Sequence, residues 1–375
     1  MQIGIVSKWL NRGQAFVSRY VRSALDELGH ETHVLARPTS EEGWRWVDYV
    51  EEGDVWAGPR ITVASTHEIP RPEYEAWVTA NGLDVVFFDQ NYDFETIAAL
   101  RESGVRTIGR FVWEQFAPEH VAGAGEAFDV VYSVTRAERD RYAELGIESP
   151  LVRWGCHPEL TSIVPDRPDD VVRYIFPGGM LGPRKPLRAV VQAFKRTLDK
   201  TEDPRLRLLI RTQIERTQLE SVERNSDRDP RFEVKVGDLP TAQHLQMFAD
   251  CHVCLAPSRW EGLGLPLYEA LAFGMPIITN NDPPMNEIVE DGVNGLFVNS
   301  SVDGTTPSGL PTYDIRVKST REAIQRLADD DLRAELTEGA RRVRDQRSWS
   351  TTVADFGELL SRVGPGAAAA ASEGH

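Results

Sequence analysis

A chain of 375 residues is longer than one hydrophobic core normally organises, so a single small module is excluded and two domains of about 150 to 200 residues each are expected. Its 41% hydrophobic and 27% charged residues are those of a folded globular protein, not of a disordered or collagenous one. A formal charge of −16 speaks against nucleic acid as the main partner, because phosphate neutralisation needs a basic face.

In chain order, residues 2–7 read as an apolar strand. Phe16, Val17, Tyr20, Val21, Ala24, Leu25 and Leu28 then recur at the spacing of one buried helical face, which predicts a helix over 15–28. Gly29 supplies its C-terminal stop, and 32–36 is the next strand. Further strands fall at 84–88, 106–111, 129–133 and 149–153, with helices at 94–103 and 136–145. Strands alternating with helices predict an α/β fold with a parallel, doubly wound sheet.

The polar, Pro-containing stretch Asp166-Arg167-Pro168-Asp169-Asp170 has the composition of a domain linker, and after it the rhythm restarts. Strands are expected at 172–176, 207–211, 231–236, 253–256, 276–279 and 295–298, and helices at 187–198, 242–249, 266–273, 285–290 and 321–327. Residues 299–316, rich in Ser, Thr, Gly and Pro, read as a long loop. The domains are therefore 1–165 and 166–345, both Rossmann-like, followed by a terminal helix at 346–363 and a low-complexity, disordered tail at 364–375.

Charge is unevenly spread. Residues 1–150 hold 14 Lys and Arg against 25 Asp and Glu, a balance of −11, whereas residues 151–375 hold 28 against 33, or −5. The second half is the better host for an anionic ligand, and the first would repel an anionic membrane surface. Three cysteines cannot form a disulfide framework, the N-terminus has no signal-peptide pattern, and no run approaches the ~20 apolar residues of a membrane span. A cytoplasmic protein without a transmembrane segment is expected, and oligomeric state is left open. Cys251 and Cys254 have metal-pair spacing, but on a buried strand they point to opposite faces, so core packing is expected and no metal.

Ligands of open parallel sheets bind where strands end and helices begin. The most informative such junction runs from Ser258 to Ala270. Gly262 and Gly264 let backbone approach a ligand, and Pro266 suits the first turn of a helix. The amides of Leu263, Gly264 and Leu265 would face an anion there, favoured by the helix dipole. Glu261 lies before the helix and Glu269 about one turn inside it.

Glu261 and Glu269, within Glu-Gly-Leu-Gly-Leu-Pro-Leu-Tyr-Glu-Ala, resemble the E-x7-E motif of retaining GT-B glycosyltransferases, especially family four. The following Ala270–Ile278 and Glu287–Gly295 stretches are similar to that family as well, and together the likeness runs from about residue 170 to 362. Residues 176–185 resemble its G-R-x-x-x-x-K loop, with Gly179 and Lys185 at the Gly and Lys. Met180 stands where the family has an Arg, and Pro186 where it has a Gly.

The resemblance implies two Rossmann-like domains facing across a cleft, acceptor to the first and nucleoside-diphosphate sugar to the second. The donor, of UDP or GDP type, is a co-substrate, and no cofactor or metal is expected. Glu261, Lys185 and Arg184 are assigned to catalysis. Glu269, Gly262, Leu263, Gly264, Leu265, Gly179 and Arg211 are assigned to donor binding, with Arg184 and Arg211 as candidates to replace the missing Arg. Gly13, Asn11, Asn91 and Glu114 are assigned to the sugar and acceptor side. The acceptor is a glycan, a lipid-linked sugar or a small molecule. Two other readings remain open, a binder of nucleotide sugars or glycans that has lost turnover, and an epimerase on the same fold.

Overall fold

The computed structural model describes residues 1–38, 50–213, 219 and 229–363. They divide into two compact units, the first made of Met1–Trp154 with the chain from Ser350 onward, the second of Gly155–Trp349.

In unit 1 the strands β1 (Gln2–Lys8), β2 (Glu31–Arg37), β3 (Ile61–Val63), β4 (Val85–Asp89), β5 (Arg106–Arg110) and β6 (Val130–Val131) form one sheet in the order β3-β2-β1-β4-β5-β6, all parallel. β1 and β4 are buried along their whole middle, as expected of parallel strands covered on both faces. The first helix, Gly13–Glu27, buries Val17, Tyr20, Val21, Ala24 and Leu25 and ends where Gly29 turns left-handed at φ +80. The chain steps from β1 to β3 in one direction and restarts with β4 on the other side of β1. A topological switch point therefore lies between the C-terminal ends of β1 and β4.

Unit 2 repeats this plan. β7 (Val172–Gly179), β8 (Leu206–Thr212), β9 (Phe232–Val236), β10 (Val253–Leu255), β11 (Ile277–Asn280) and β12 (Gly295–Val298) form a parallel sheet in the order β12-β11-β10-β7-β8-β9. Its switch point falls between β7 and β10. Each unit has its own apolar core, around Phe88, Phe111, Phe116 and Tyr142 in the first and Tyr174, Phe176, Phe194 and Leu255 in the second.

Several expectations are corrected. The boundary lies at Trp154, not at the 166–170 linker, because the Cys156 amide donates to Arg347, His157 stacks on Trp349 and the Cys156 thiol meets the Tyr268 carbonyl, all inside unit 2. The expected loop 299–316 is an antiparallel hairpin of β13 (Ser300–Thr305) and β14 (Pro311–Ile315). Its turn closes through Thr306 N to Leu310 O, with Gly309 at φ +85. Polar strand residues concealed it, since Thr312 and Ile315 are its main inward side chains. Residues 149–153 form only an isolated bridge between Ser133 and Leu151. Residues 285–290 shrink to a single 3-10 turn, Met285–Glu287.

β3 and the helices Arg71–Asn81 and Asp330–Gln346 were not expected. The last helix, Trp349–Val363, joins unit 1 from Ser350 on, where Asp355 pairs with Arg153 and Phe356 packs on Phe87 and Tyr132. The tail 364–375 lies outside the described residues. Cys251 and Cys254 are free and fully buried, with thiols directed to the Met247 and Pro266 carbonyls rather than to a common point. Among the described residues no helix is long and apolar enough to cross a membrane.

Candidate functional site in the second unit

β7 and β10 end side by side at the switch point, and the loops that leave them carry the chemistry. After β7 the chain turns sharply. Gly179, Leu181 and Gly182 have φ of +53, +51 and +81, and the Leu181 amide closes on Gly178 O at 2.8 Å. Gly178 has no room for a side chain, because a Cβ would lie 2.7 Å from Leu181. A left-handed leucine is uncommon, and here burial of its side chain holds it. The turn delivers Arg184 and Lys185 to the loop that follows β10, where Arg259 N donates to Arg184 O at 2.9 Å.

There Lys185 Nζ donates to Glu261 Oε1 at 2.5 Å and to Ser258 Oγ at 2.9 Å. Ser258 Oγ in turn donates to the same Glu261 oxygen at 2.6 Å, and Arg184 Nη1 donates to Glu261 Oε2. Ser258 is itself fixed by its amide on Asn280 Oδ1 at the end of β11. The side chains of Lys185 and Glu261 are 4% and 6% exposed, whereas that of Arg184 is 34% exposed.

Electrostatics follow from this geometry. Burial pushes the Glu261 carboxyl up, but Arg184 and Lys185 outweigh it and hold the group down at about 2. Burial also pulls the Lys185 ammonium below its ordinary value, against the attraction of Glu261. With both partners ionised, two cations answer one carboxylate, and the cluster keeps a positive charge whose most accessible part is the Arg184 guanidinium.

The helix Leu265–Ala272 begins three residues after Gly262, entered through Gly264 in the left-handed region at φ +82. The amides of Leu263, Gly264 and Leu265 precede or open that helix, so no carbonyl within it accepts from them. Glu269 sits one turn in and is half-buried. Its carboxylate has no hydrogen-bond or ion-pair partner among the described residues, and burial raises it to about 7. Local sequence explains the placement, since Leu267, Tyr268, Ala270 and Leu271 bury the opposite face of the helix.

The structure thus brings together Gly179, Arg184, Lys185, Glu261 and the 262–265 turn. It does not join Arg211 to them: Nη1 of Arg211 donates to the carbonyls of Thr212 and Lys235 at the β8–β9 end of the sheet, and its buried Nε has no hydrogen-bond partner among the described residues. In unit 1, Gly13 is exposed at the start of the first helix, and the Asn11 amide donates to Glu51. Asn91 faces inward rather than toward a sugar. It is 1% exposed, its amide donates to Tyr74 Oη at 2.8 Å, and its oxygen accepts from Asp93 N at the entry to the helix Phe94–Glu102. Glu114 is half-buried near Tyr92 and the buried Glu138. Sequence reasoning missed Ser258 and Asn280 as ligands of the cluster. A hydroxyl directly after an apolar strand was the available signal for Ser258, whereas Asn280 is set by strand pairing alone. Among the described residues no three His, Cys, Asp or Glu side chains gather as a metal site.

Residues 168–304 match the family model described as Glycosyl transferases group 1. Among curated proteins, the chain is 44% identical over 87 residues to an uncharacterized 41.2 kDa protein in the cps region of Klebsiella pneumoniae, 23% of this chain and 24% of that one. It is 30% identical over 115 residues to a D-inositol 3-phosphate glycosyltransferase of Acidothermus cellulolyticus, 31% of this chain and 22% of that one. The chain thus spans about a quarter of the length of each of these curated relatives. Solved structures align over nearly the whole chain. Sucrose-phosphate synthase from Thermosynechococcus elongatus does so with a TM-score of 0.69 at 16% identity, covering 96% of this chain and 98% of that one. The pneumococcal O-GlcNAc transferase GtfA, solved with UDP and GlcNAc, gives 0.72 at 11% identity, covering 97% and 99%. Over residues 168–304 the chain is thus similar to glycosyl transferases group 1, and over nearly its whole length it shares the GT-B fold of these solved structures.

Proposed function

We propose that this chain is a retaining, metal-independent glycosyltransferase of the family-four type, moving a hexosyl unit from a UDP- or GDP-linked donor to a hydroxyl of a glycan, lipid-linked or small-molecule acceptor. The observation that carries this reading is the positively charged Arg184–Lys185–Glu261 cluster, set at a strand-end switch point beside the open amides of Leu263 to Leu265. A departing nucleoside diphosphate develops charge on its phosphate oxygens. Arg184, Lys185 and those amides are preorganised to receive it. The carboxylate of Glu269 accepts from the vicinal ribose hydroxyls, and Glu261 contacts the hydroxyls of the sugar.

In the proposed step the bond from the sugar C1 to the phosphate oxygen breaks and the acceptor oxygen bonds to C1 on the same face. The acceptor proton passes to the leaving phosphate oxygen, so no protein nucleophile is required. UDP is the first nucleotide to test, because GtfA is solved with UDP and the Anabaena protein HepE with UDP and UDP-glucose. Three free, buried thiols suit a reducing compartment, and a cytoplasmic setting is part of the proposal.

A thermal-shift panel of UDP, GDP, ADP, TDP and their sugar conjugates on wild type and Glu269→Ala tests the site, since a ligand bound only by the native state raises its stability. One nucleotide shifts the wild type and not the variant if the ribose assignment is right. Slow hydrolysis of the matching donor without acceptor identifies an enzyme. Met180 and Pro186 favour the second reading, a binder without turnover, and saturable binding with no hydrolysis would establish it in place of the first.

A further inference from the structure

The switch point of the unit 1 sheet, between β1 and β4, holds a second concentration of positive charge. Lys8 ends β1, and Arg37 ends β2 directly beside it in register. Arg37 is only 4% exposed, yet every hydrogen bond of its guanidinium goes to a carbonyl, Nε to His67 O at 3.0 Å and Nη1 to Gln90 O at 3.1 Å. Gln90 follows β4, so the guanidinium reaches across the end of β1, where Lys8 stands. Lys8 Nζ has no hydrogen-bond or ion-pair partner among the described residues. Asp89, the carboxylate that attracts the Lys8 ammonium, gives its Oδ1 to Arg110 at 2.8 Å, and its buried Oδ2 has no hydrogen-bond partner among the described residues. Glu68 lies 81% exposed beside His67.

Lys8 and Arg37, two cations drawn out of water, have only Asp89 to answer them, shared with Arg110, and that is costly. The Lys8 ammonium registers that cost, lowered by burial and then by Arg37 against the attraction of Asp89. In a half of the chain with a balance of −11, this local excess at the ligand end of a parallel sheet is the exception, not the background.

We infer that Lys8 and Arg37 form an oxyanion-binding site in unit 1, which receives a phosphate monoester or carboxylate carried by a small polar ligand. Charge-assisted hydrogen bonds from Lys8 Nζ and from the free edge of the Arg37 guanidinium hold the anion, and the carbonyl contacts of Arg37 fix its fork in place. On the glycosyltransferase reading, that ligand is the acceptor, and its class is a phosphorylated or acidic sugar. The site itself does not depend on that reading.

Calorimetric titration of the full chain with inorganic phosphate, glucose 6-phosphate, glucuronate and, as neutral control, glucose tests it. Glucose 6-phosphate or glucuronate is expected to bind and glucose not to, and the preferred probe distinguishes phosphate from carboxylate. Lys8→Gln, a change at a half-buried strand end, is expected to weaken the charged probe by about tenfold, the loss of one charge-assisted bond. Lys185→Gln, checked for folding by its melting curve, reports any binding that belongs to the unit 2 cluster instead. Arg37→Lys, checked for folding by its melting curve, should also weaken binding, because an ammonium cannot reproduce the fork. No binding of any charged probe by wild type, or binding lost in Lys185→Gln and kept in Lys8→Gln, would overturn the site. Donor hydrolysis is read separately. Hydrolysis without anion binding rejects this site and keeps the glycosyltransferase reading, and anion binding without hydrolysis of any donor does the reverse.

Discussion

Lys185 and Glu261, 76 residues apart in sequence, meet at 2.5 Å in unit 2 with almost no solvent on either side chain. Breaking such a pair leaves an incompletely compensated charge in the interior. Lys185→Met is therefore expected to destabilise unit 2 by about 3 kcal/mol, with Arg184 limiting the damage. Replacing both partners by apolar residues should cost less than the single change. Urea melts of the two variants check this, and equal losses would show that the pair is not a coupled unit.

The two glutamates of the motif should impose opposite pH dependences. Glu261 titrates at about 2 in the fold against an ordinary 4.5, so its stabilisation is complete above the unfolded value and disappears as pH falls toward 2. Glu269 is raised to about 7, so its folded form holds a proton that the unfolded chain has released, and stability falls as pH rises from about 4.5 to 7. Glu261→Gln should flatten the acid limb. Glu269→Gln should flatten the neutral limb and raise stability at about pH 8 by up to a few kcal/mol, while removing the ribose acceptor. Denaturant midpoints at about pH 3, 5 and 8 decide both.

Gly264 enters its helix at φ +82, and an added Cβ would stand 3.3 Å from Leu267. Gly264→Ala should cost about 1–2 kcal/mol from the left-handed backbone alone. It should also misdirect the amides of Leu263 to Leu265, weakening nucleoside diphosphate by more than it weakens the free nucleoside. Calorimetry with the two ligands separates this from a general loss of stability.

Met180 follows the left-handed Gly179 in the loop that presents Arg184 and Lys185. Met180→Arg restores the cation that the family resemblance places there, and is expected to tighten nucleoside diphosphate binding by about threefold to tenfold. Unchanged affinity would show that Arg184 already supplies that charge.

Much of this chain could be read before any coordinates. Apolar runs alternating with 3.6-period helices specify two parallel α/β units because strands buried on both faces need no partner information to be recognised. The junction from Ser258 to Ala270 was legible because glycines, a proline and two carboxylates at fixed spacing act locally. Tertiary structure decided the rest. The unit boundary moved to Trp154 because the 155–165 segment has no periodicity of its own and is held by Arg347, Trp349 and Tyr268. The hairpin β13–β14 was concealed by polar strands whose pairing, not composition, makes them strands. Arg211 and Asn91 look like ligand residues by type and position, but a side chain's direction is set by the carbonyls and hydroxyls around it, and here these hold Nη1 of Arg211 and the amide of Asn91. Ser258 joins Lys185 and Glu261, and Arg37 reaches Gln90 past the end of β1, only because strand order brings distant strand ends together, which no local pattern encodes.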